Sequence, residues 1–463
     1  MKFQARDSRP AVSAARSAAF DILLRVELES SYASDLLHSR PHERLSEPDH
    51  ALTTELVMGV LRWRSLLDSE IAKSSAQPIA KLDLEILTAL RLAVYQLLWL
   101  DRIPARAAIN ESVELVKRAR KRSAAPFVNA VLRKLAAAIA SRRESVQATG
   151  EDASAEVLAA DYAHPRWLVE RWIKDYGPLA AFRICQYNQS VPRTTIRLRH
   201  SDAENQLRSE GIELAAGDFL AGARRVLRGE ITATAAYRSG LCVIQDEASQ
   251  LVAALVGHGT QMLDCCAAPG GKTAGLADRN PTASITAVDL HTHRARLLRN
   301  LLLTKYASTA GGANVRVVAA DARNLPFVHK FDRILADVPC SGTGTLAHNP
   351  EIKWKLRPDD LIDLQARQLA ILRSTMAQVA RAGRLIYSTC SLEREENEDV
   401  IGRALAQDSS FRVLDSRIEL ERLQREGELI CPDLSSLMLG PYLRTLPGVH
   451  QCDGFFSAIL ERV

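Results

Sequence analysis

The stretch Met262 to Thr273, MLDCCAAPGGKT, constrains the fold of this chain more than any other. An apolar run stops at Asp264, two cysteines and two alanines follow, and Pro269, Gly270 and Gly271 let the backbone approach a ligand closely. Lys272 and Thr273 then open a helix-like segment. A strand, a tight loop and a helix in that order set free helix-start N–H groups, which attract an anion, beside a strand-end acid, which holds a cation or a hydroxyl. A P-loop is excluded because Cys266 stands where its first glycine belongs, and G-x-G-x-x-G is also missing. Two readings remain: a doubly wound sheet with its ligand at the carboxyl ends of the strands, or a strand-to-helix turn that binds nothing.

The C-terminal half favours the sheet. From Gly240 onward, strand-like and helix-like segments alternate, with candidate strands at 261–265, 284–289, 314–319, 332–337, 383–388, 411–415 and 455–460. Seven strands predict an α/β domain with a Rossmann-like sheet over 240–463. Asp289 closes the second of them, 18 residues beyond Gly271, close to the spacing at which an acid meets ribose hydroxyls. Asp321, just past the third, is placed either to cap a helix or to border the same crevice.

The N-terminal part reads differently. Residues 11–140 carry apolar positions such as Ala19, Phe20, Leu23, Leu24 and Val26 at helical spacing, with no strand pattern among them. An all-helical domain is expected over 1–145, a polar linker over 146–155, and a small α+β module over 156–239. In that module TTIRLR at 194–199 reads as a strand. His164 is read as a helix-start residue and not as a metal ligand.

Net charge is only +5, yet between Asp101 and Ser145 basic residues outnumber acidic ones by seven. Lys117, Arg118, Arg120, Lys121 and Arg122 cluster before Pro126, and Arg133, Lys134, Arg142 and Arg143 extend the charge. A local basic surface on a nearly neutral chain points to a polyanion, here RNA, although cations also suit a solvated helix end. Arg197 and Arg199 could present a second basic face, or line an exposed edge. None of the eight cysteines forms a C-x-x-C pair, and the N-terminus lacks a signal-peptide core. A reduced, cytoplasmic setting is expected. The most apolar helical run, Ile86 to Leu100, is too short to span a bilayer and is interrupted by Arg91 and Gln96.

Chemistry is concentrated after two strands. FDRILAD delivers Asp337-Val338-Pro339-Cys340, and GRLIYST delivers Ser388-Thr389-Cys390-Ser391. If those strands are neighbours, two cysteines 50 residues apart meet Asp337 at one crevice. Ser391 is placed to cap a following helix, which would favour a Cys390 thiolate, while Glu393, Glu395 and Glu396 oppose it. Cys185, Cys242, Cys431 and Cys452 lack such company and are expected to be structural.

These residues resemble a known family, the RNA cytosine-C5 methyltransferases, and within it the bacterial Sun/Fmu or RsmB type. The resemblance rests on QDEAS at 245–249, DCCAAPGGKT at 264–273, AVDLH at 287–291, DVPCSGTG at 337–344, NPEIKW at 349–354, STCSLEREENE at 388–398 and DGFFSA at 453–458. The helical N-terminal region also looks like the NusB-type RNA-binding domain of this subgroup.

The resemblance implies S-adenosylmethionine as cofactor, bound or bordered by Cys266, Ala267, Ala268, Pro269, Gly270, Gly271, Lys272, Asp289, Asp321 and Asp337. It further implies Cys390 as nucleophile, Cys340 as the thiol that assists release, and cytosine 967 of 16S ribosomal RNA, naked or in a small-subunit assembly intermediate, as target. Asp337 acts near N3, with Lys272 as possible support. Lys353 joins the RNA contacts; no metal, membrane or DNA partner is expected, and the protein is taken as a monomer by analogy. Such thiols are needed because cytosine C5 is too electron-poor to attack a methyl sulfonium until a thiolate adds to C6. DNA cytosine methylation through Pro339-Cys340 and a non-catalytic ribosome-assembly factor are the rival readings.

Overall fold

Helix caps, buried stripes and period-two strands carry the expected pattern into three dimensions. The computed structural model describes residues 12–29, 31–39, 42, 44–141, 153–305 and 314–463. Expectations for Arg142, Arg143 and residues 146–152 lie outside them. The chain divides into two units, Met1–Ser190 with Leu346–Lys355, and Val191–Thr345 with Leu356–Val463.

The first unit is helical throughout its described residues. Helix Glu47–Ser74 starts where Ser46 accepts a hydrogen bond from the Asp49 amide, with a proline in the first turn. Helix Leu84–Trp99 is central: every residue from Ile86 to Gln96 is buried, against Phe20, Leu23, Leu56, Val60 and Leu132 among others. The two polar interruptions of that run are satisfied inside the unit. Arg91 makes a bidentate pair with Asp68 at 2.7 and 2.8 Å, and Gln96 accepts from Arg16 Nε at 2.7 Å. Ile86–Leu100 is too short to cross a membrane, as expected; among the described residues one helix, Arg122–Ala140, is long and apolar enough by length and composition. It sets Val128, Val131, Leu132 and Leu135 into the core and exposes Arg133 and Lys134.

The segment expected as one module over 156–239 falls across the boundary. Helices Ala155–Asp161, Arg166–Tyr176 and Pro178–Gln189 cluster with the first unit. The strands belong to the second: β1 (Thr195–Leu198), β2 (Glu213–Ala216), β3 (Ala223–Arg228) and β4 (Cys242–Ile244), in the order β2-β3-β1-β4. β4 pairs antiparallel with β1, so this sheet runs past the expected limit at 239. His164 is buried, its ring edge-on to Trp172 at 5.6 Å, as a packed residue just before a helix.

The large sheet contains β5 (Gln261–Asp264), β6 (Ser284–Asp289), β7 (Asn314–Ala319), β8 (Phe331–Asp337), β9 (Val379–Thr389), β10 (Phe411–Leu414), β11 (Met438–Leu439), β12 (Tyr442–Arg444) and β13 (Phe456–Arg462). Its order is β11-β12-β13-β9-β8-β5-β6-β7, and β10 also pairs with β13. Strands β5 to β9 are mutually parallel, and β13 runs antiparallel to β9. All seven expected strands form, and β11 and β12 add a short edge. β9 begins at Val379 instead of 383, because Ala382 takes φ +57° and lets the strand bend with a register shift opposite β8. Along the strands the two faces alternate. Met262, Leu335 and Ile386 enter one core, and Leu263, Ile334, Leu385 and Tyr387 the other.

Candidate active site

The parallel register brings five strand ends to one edge of the sheet, with Asp264 beside Ala287, Asp289 beside Ala319, and Asp337 beside Ser388. Asp264 is 1% exposed, and the Thr273 hydroxyl donates to its Oδ2 at 2.7 Å. Burial pushes this carboxyl up to about 7. Oδ1 makes no hydrogen bond among the described residues. The loop then turns at Gly270, φ +115°, where a Cβ would fall 2.6 Å from Leu298. Helix Gly271–Arg279 starts there with no side-chain cap. An orphaned buried acceptor, a close-approach glycine and an open helix start fit the amino-acid end of S-adenosylmethionine.

Of the other residues expected near a cofactor, Ala267 is buried and donates its N–H to Val288 at 2.8 Å, Ala268 and Cys266 are half-buried, and Pro269 is exposed. Cys266 Sγ lies 3.9 Å from Cys265 Sγ. Asp289 is buried at the end of β6 and accepts from the His291 amide at 3.0 Å. Asp321 caps the turn Ala322–Asn324 and pairs with Arg323 at 2.6 Å, so its carboxylate is engaged locally.

The two cysteines meet. Cys340 Sγ and Cys390 Sγ are 3.1 Å apart, and the Gly344 amide donates to the Cys390 carbonyl at 2.9 Å. Gly344 has no room for a side chain, since a Cβ would sit 2.1 Å from the Gly454 carbonyl. Beside the thiols, Lys272 Nζ bonds Asp337 Oδ2 at 2.7 Å and lies 4.9 Å from the centre of the Phe455 ring. Burial opposes the Lys272 charge, but Asp337, Cys390 and Asp264 outweigh it and raise the ammonium above its ordinary value. Cys340 is raised too: its hydrogen bond with Cys390, burial, and the charges of Cys390 and Glu396 push its thiol well up. Asp453, also buried, is pushed up to about 7 by burial despite Lys272.

Ser391 does not cap a helix. Its hydroxyl bonds the carboxylate of Glu396, and a short turn, Arg394–Glu396, precedes helix Glu398–Leu405. Gln368 carried no signal; Glu396 was named only among the acids after Cys390, and Asp453 and Phe455 lay in the DGFFSA stretch without an assigned role. The four other cysteines assigned a structural role are buried.

The expected RNA contacts divide. Lys117 and Arg118 end helix Ala105–Arg118, and with Val12, Ser17, Glu114 and Arg122 they line an open depression. Lys117 pairs with Glu114 at 2.7 Å, Arg118 with Asp21 at 2.5 Å and Lys121 with Asp83 at 2.9 Å. Arg120 and Arg122 are exposed, without an ion pair among the described residues. Arg197 and Arg199 are turned inward: both bind Asp278, at 2.7 and 2.6 Å, and the Arg199 side chain is 2% exposed. Lys353 is corrected likewise. It is 1% exposed and donates to the Arg62 carbonyl at 2.9 Å, while Trp354 Nε1 donates to the Leu61 carbonyl. Burial drives the Lys353 ammonium well below its ordinary value. Inward arginines on and just after β1 and a lysine in a helical core are packing and pairing groups.

The strand order, the glycine turn after β5 and the acids ending β5 and β6 define a Rossmann-like methyltransferase of the S-adenosylmethionine-dependent class. Comparison with known proteins narrows this. Residues 253–461 match the family described as 16S rRNA methyltransferase RsmB/F, and residues 13–137 match the NusB family. The chain is 34% identical to the probable ribosomal RNA small subunit methyltransferase B of Bacillus subtilis, over 96% of this chain and 98% of that protein. In fold it is similar to the crystal structure of PH0851, with a TM-score of 0.77 and 22% identity over 98% of this chain and 100% of that one. It is also similar to NSun6 from Pyrococcus horikoshii, solved with SFG, with a TM-score of 0.54 and 19% identity over 65% and 98%. The chain belongs to the RsmB/F family of ribosomal RNA methyltransferases, with a NusB-like N-terminal domain.

Proposed function

We propose that this protein is a cytoplasmic, monomeric 16S ribosomal RNA (cytosine-C5) methyltransferase that modifies cytosine 967 through a covalent Cys390–C6 adduct. The observation that carries the reading is the thiol pair, 3.1 Å apart, beside the Lys272–Asp337 ion pair. Asp264, the turn at Gly270 and the start of helix Gly271–Arg279 would hold the cofactor, and Asp289 would meet its ribose. When bound, the cofactor supplies an electrophilic methyl group.

Cys390 is the nucleophile, the sulfur of the pair whose charge acts on the nearby Lys272 ammonium. Its addition to C6 makes C5 electron-rich. Asp337, ion-paired with Lys272 at 2.7 Å, takes the N3 side of the ring and positions the cytosine edge. After methylation the C5 proton passes to water, its bonding pair re-forms C5=C6 and expels the Cys390 sulfur, and Cys340, still protonated and 3.1 Å away, assists by donating its proton to that departing sulfur. RNA is held by the basic turn Lys117–Arg122, and a target in a hairpin loop reaches the site without opening a duplex.

Trapping on RNA that carries 5-fluorocytosine tests the assignment. Cys390→Ala should form no adduct, whereas Cys340→Ala should attack and stall before release. The opposite pattern moves the nucleophile to Cys340, and no adduct from the wild type, with no cofactor binding in calorimetry, leaves an assembly factor. Mapping 5-methylcytosine in ribosomal RNA from cells with and without the protein tests the target.

A further inference from the structure

We propose that Glu396 is the positioning residue that holds Cys340 and Cys390 at reacting distance, acting through the two loops that carry them. The inference rests on reading those thiols as the reacting pair. Glu396 is fully buried and forms no ion pair among the described residues, so its carboxylate has to be met by hydrogen-bond donors. Those donors come from both loops. Oε1 accepts from the Ser341 amide and from Gln368 Nε2, each at 2.8 Å, and Oε2 accepts from the Ser341 and Ser391 hydroxyls.

Ser341 follows Cys340 directly, and Ser391 follows Cys390. One carboxylate therefore bridges the turn after β8 to the turn after β9, a single residue away from each sulfur. Its own position is fixed, because the Tyr387 hydroxyl donates to the Glu396 carbonyl at 2.6 Å and Asn397 Nδ2 donates to the Ser391 carbonyl at 3.0 Å. Gln368 also donates to the Pro339 carbonyl at 3.0 Å, which anchors the same turn from the neighbouring helix. Four donors on two oxygens need a carboxylate. A glutamine offers one acceptor oxygen and turns an N–H₂ group against the remaining donors, so one turn has to move. The charge acts on the pair as well, since Glu396 faces Cys340 and adds to what keeps its proton in place, while the Lys272 ammonium faces Cys390.

The test compares Glu396→Gln with wild type by three readouts: thermal unfolding, kcat and KM on RNA, and capture by phenylarsine oxide. That reagent bridges two thiols held close together, and peptide mapping of the thiols shielded from alkylation identifies the pair. Wild type should take up the arsenical on Cys340 and Cys390. A folded Glu396→Gln should lose the bridge, with kcat lower by about tenfold to a hundredfold and KM on RNA kept within about twofold. A folded variant that keeps both the bridge and kcat overturns the proposal, as does a change in KM alone. If Glu396→Gln does not fold, the double variant Ser341→Ala/Ser391→Ala, which keeps the charge and removes both hydroxyls, is judged by the same readouts. A wild type that bridges the arsenical but methylates no RNA refutes the proposed function and leaves the positioning role to be decided by the bridge alone.

Discussion

At the residue scale, the burial of Asp264 has a consequence for stability. Its folded-state carboxyl is raised to about 7, so between the ordinary carboxylate range and that value the folded protein binds more protons than the unfolded chain. Its contribution to stability therefore falls as pH rises through this window and levels off above it. Asp264→Asn should be more stable than wild type by a margin that grows from near zero at pH 4 to at most about 4 kcal/mol above pH 7. Urea melts across that range check it, and a flat difference would remove burial as the dominant cause. Cofactor affinity should fall in the same variant. Cys340, Cys390 and Asp337 were legible in the sequence because strand ends adjacent in a parallel sheet share one edge. Glu396 was not, because nothing in a run of four glutamates tells that Glu393 and Glu396 are the two buried, or that the second spans the thiol loops.

At the scale of elements, the loops after β8 and β9 and the segment before β13 pack backbone against backbone. Gly344→Ala should therefore destabilise by about 1–3 kcal/mol and lower turnover, because its Cβ meets the Gly454 carbonyl head-on. Gly402 is the control. It lies exposed in helix Glu398–Leu405 with nothing within 4 Å, so Gly402→Ala should stabilise by about 0.5–1 kcal/mol. Thermal denaturation of the two variants separates close approach from general intolerance. The strands were readable from alternation, whereas β4 and the β11–β12 edge, at two or three residues each, were too short to show a period. The arginines of β1 misled for a related reason. Positions 197 and 199 share one face of a strand, and the sequence does not say that Asp278 waits on that side.

At the scale of the molecule, a NusB-like domain and a methyltransferase domain in one chain imply that affinity and chemistry are separable. RNA affinity should fall steeply with salt, and the triple variant Arg118→Ala, Arg120→Ala, Arg122→Ala should flatten the slope of log affinity against log salt by about two units. The rate on bound RNA should hold. Filter binding from low to moderate salt measures this, and an unchanged slope would place the RNA elsewhere.

The sequence by itself determined the sheet, the helical domain and the pair of cysteines, because hydrophobic period and strand-end position are local properties written residue by residue. Tertiary structure alone decided which charges are spoken for. Lys353, Arg197 and Arg199 are consumed by partners distant in the chain, Lys272 is given to Asp337, and Glu396 is set between the two thiol loops. A charged side chain is long, and its desolvation must be met by whatever the fold brings near, so its role is fixed only once those neighbours are in place.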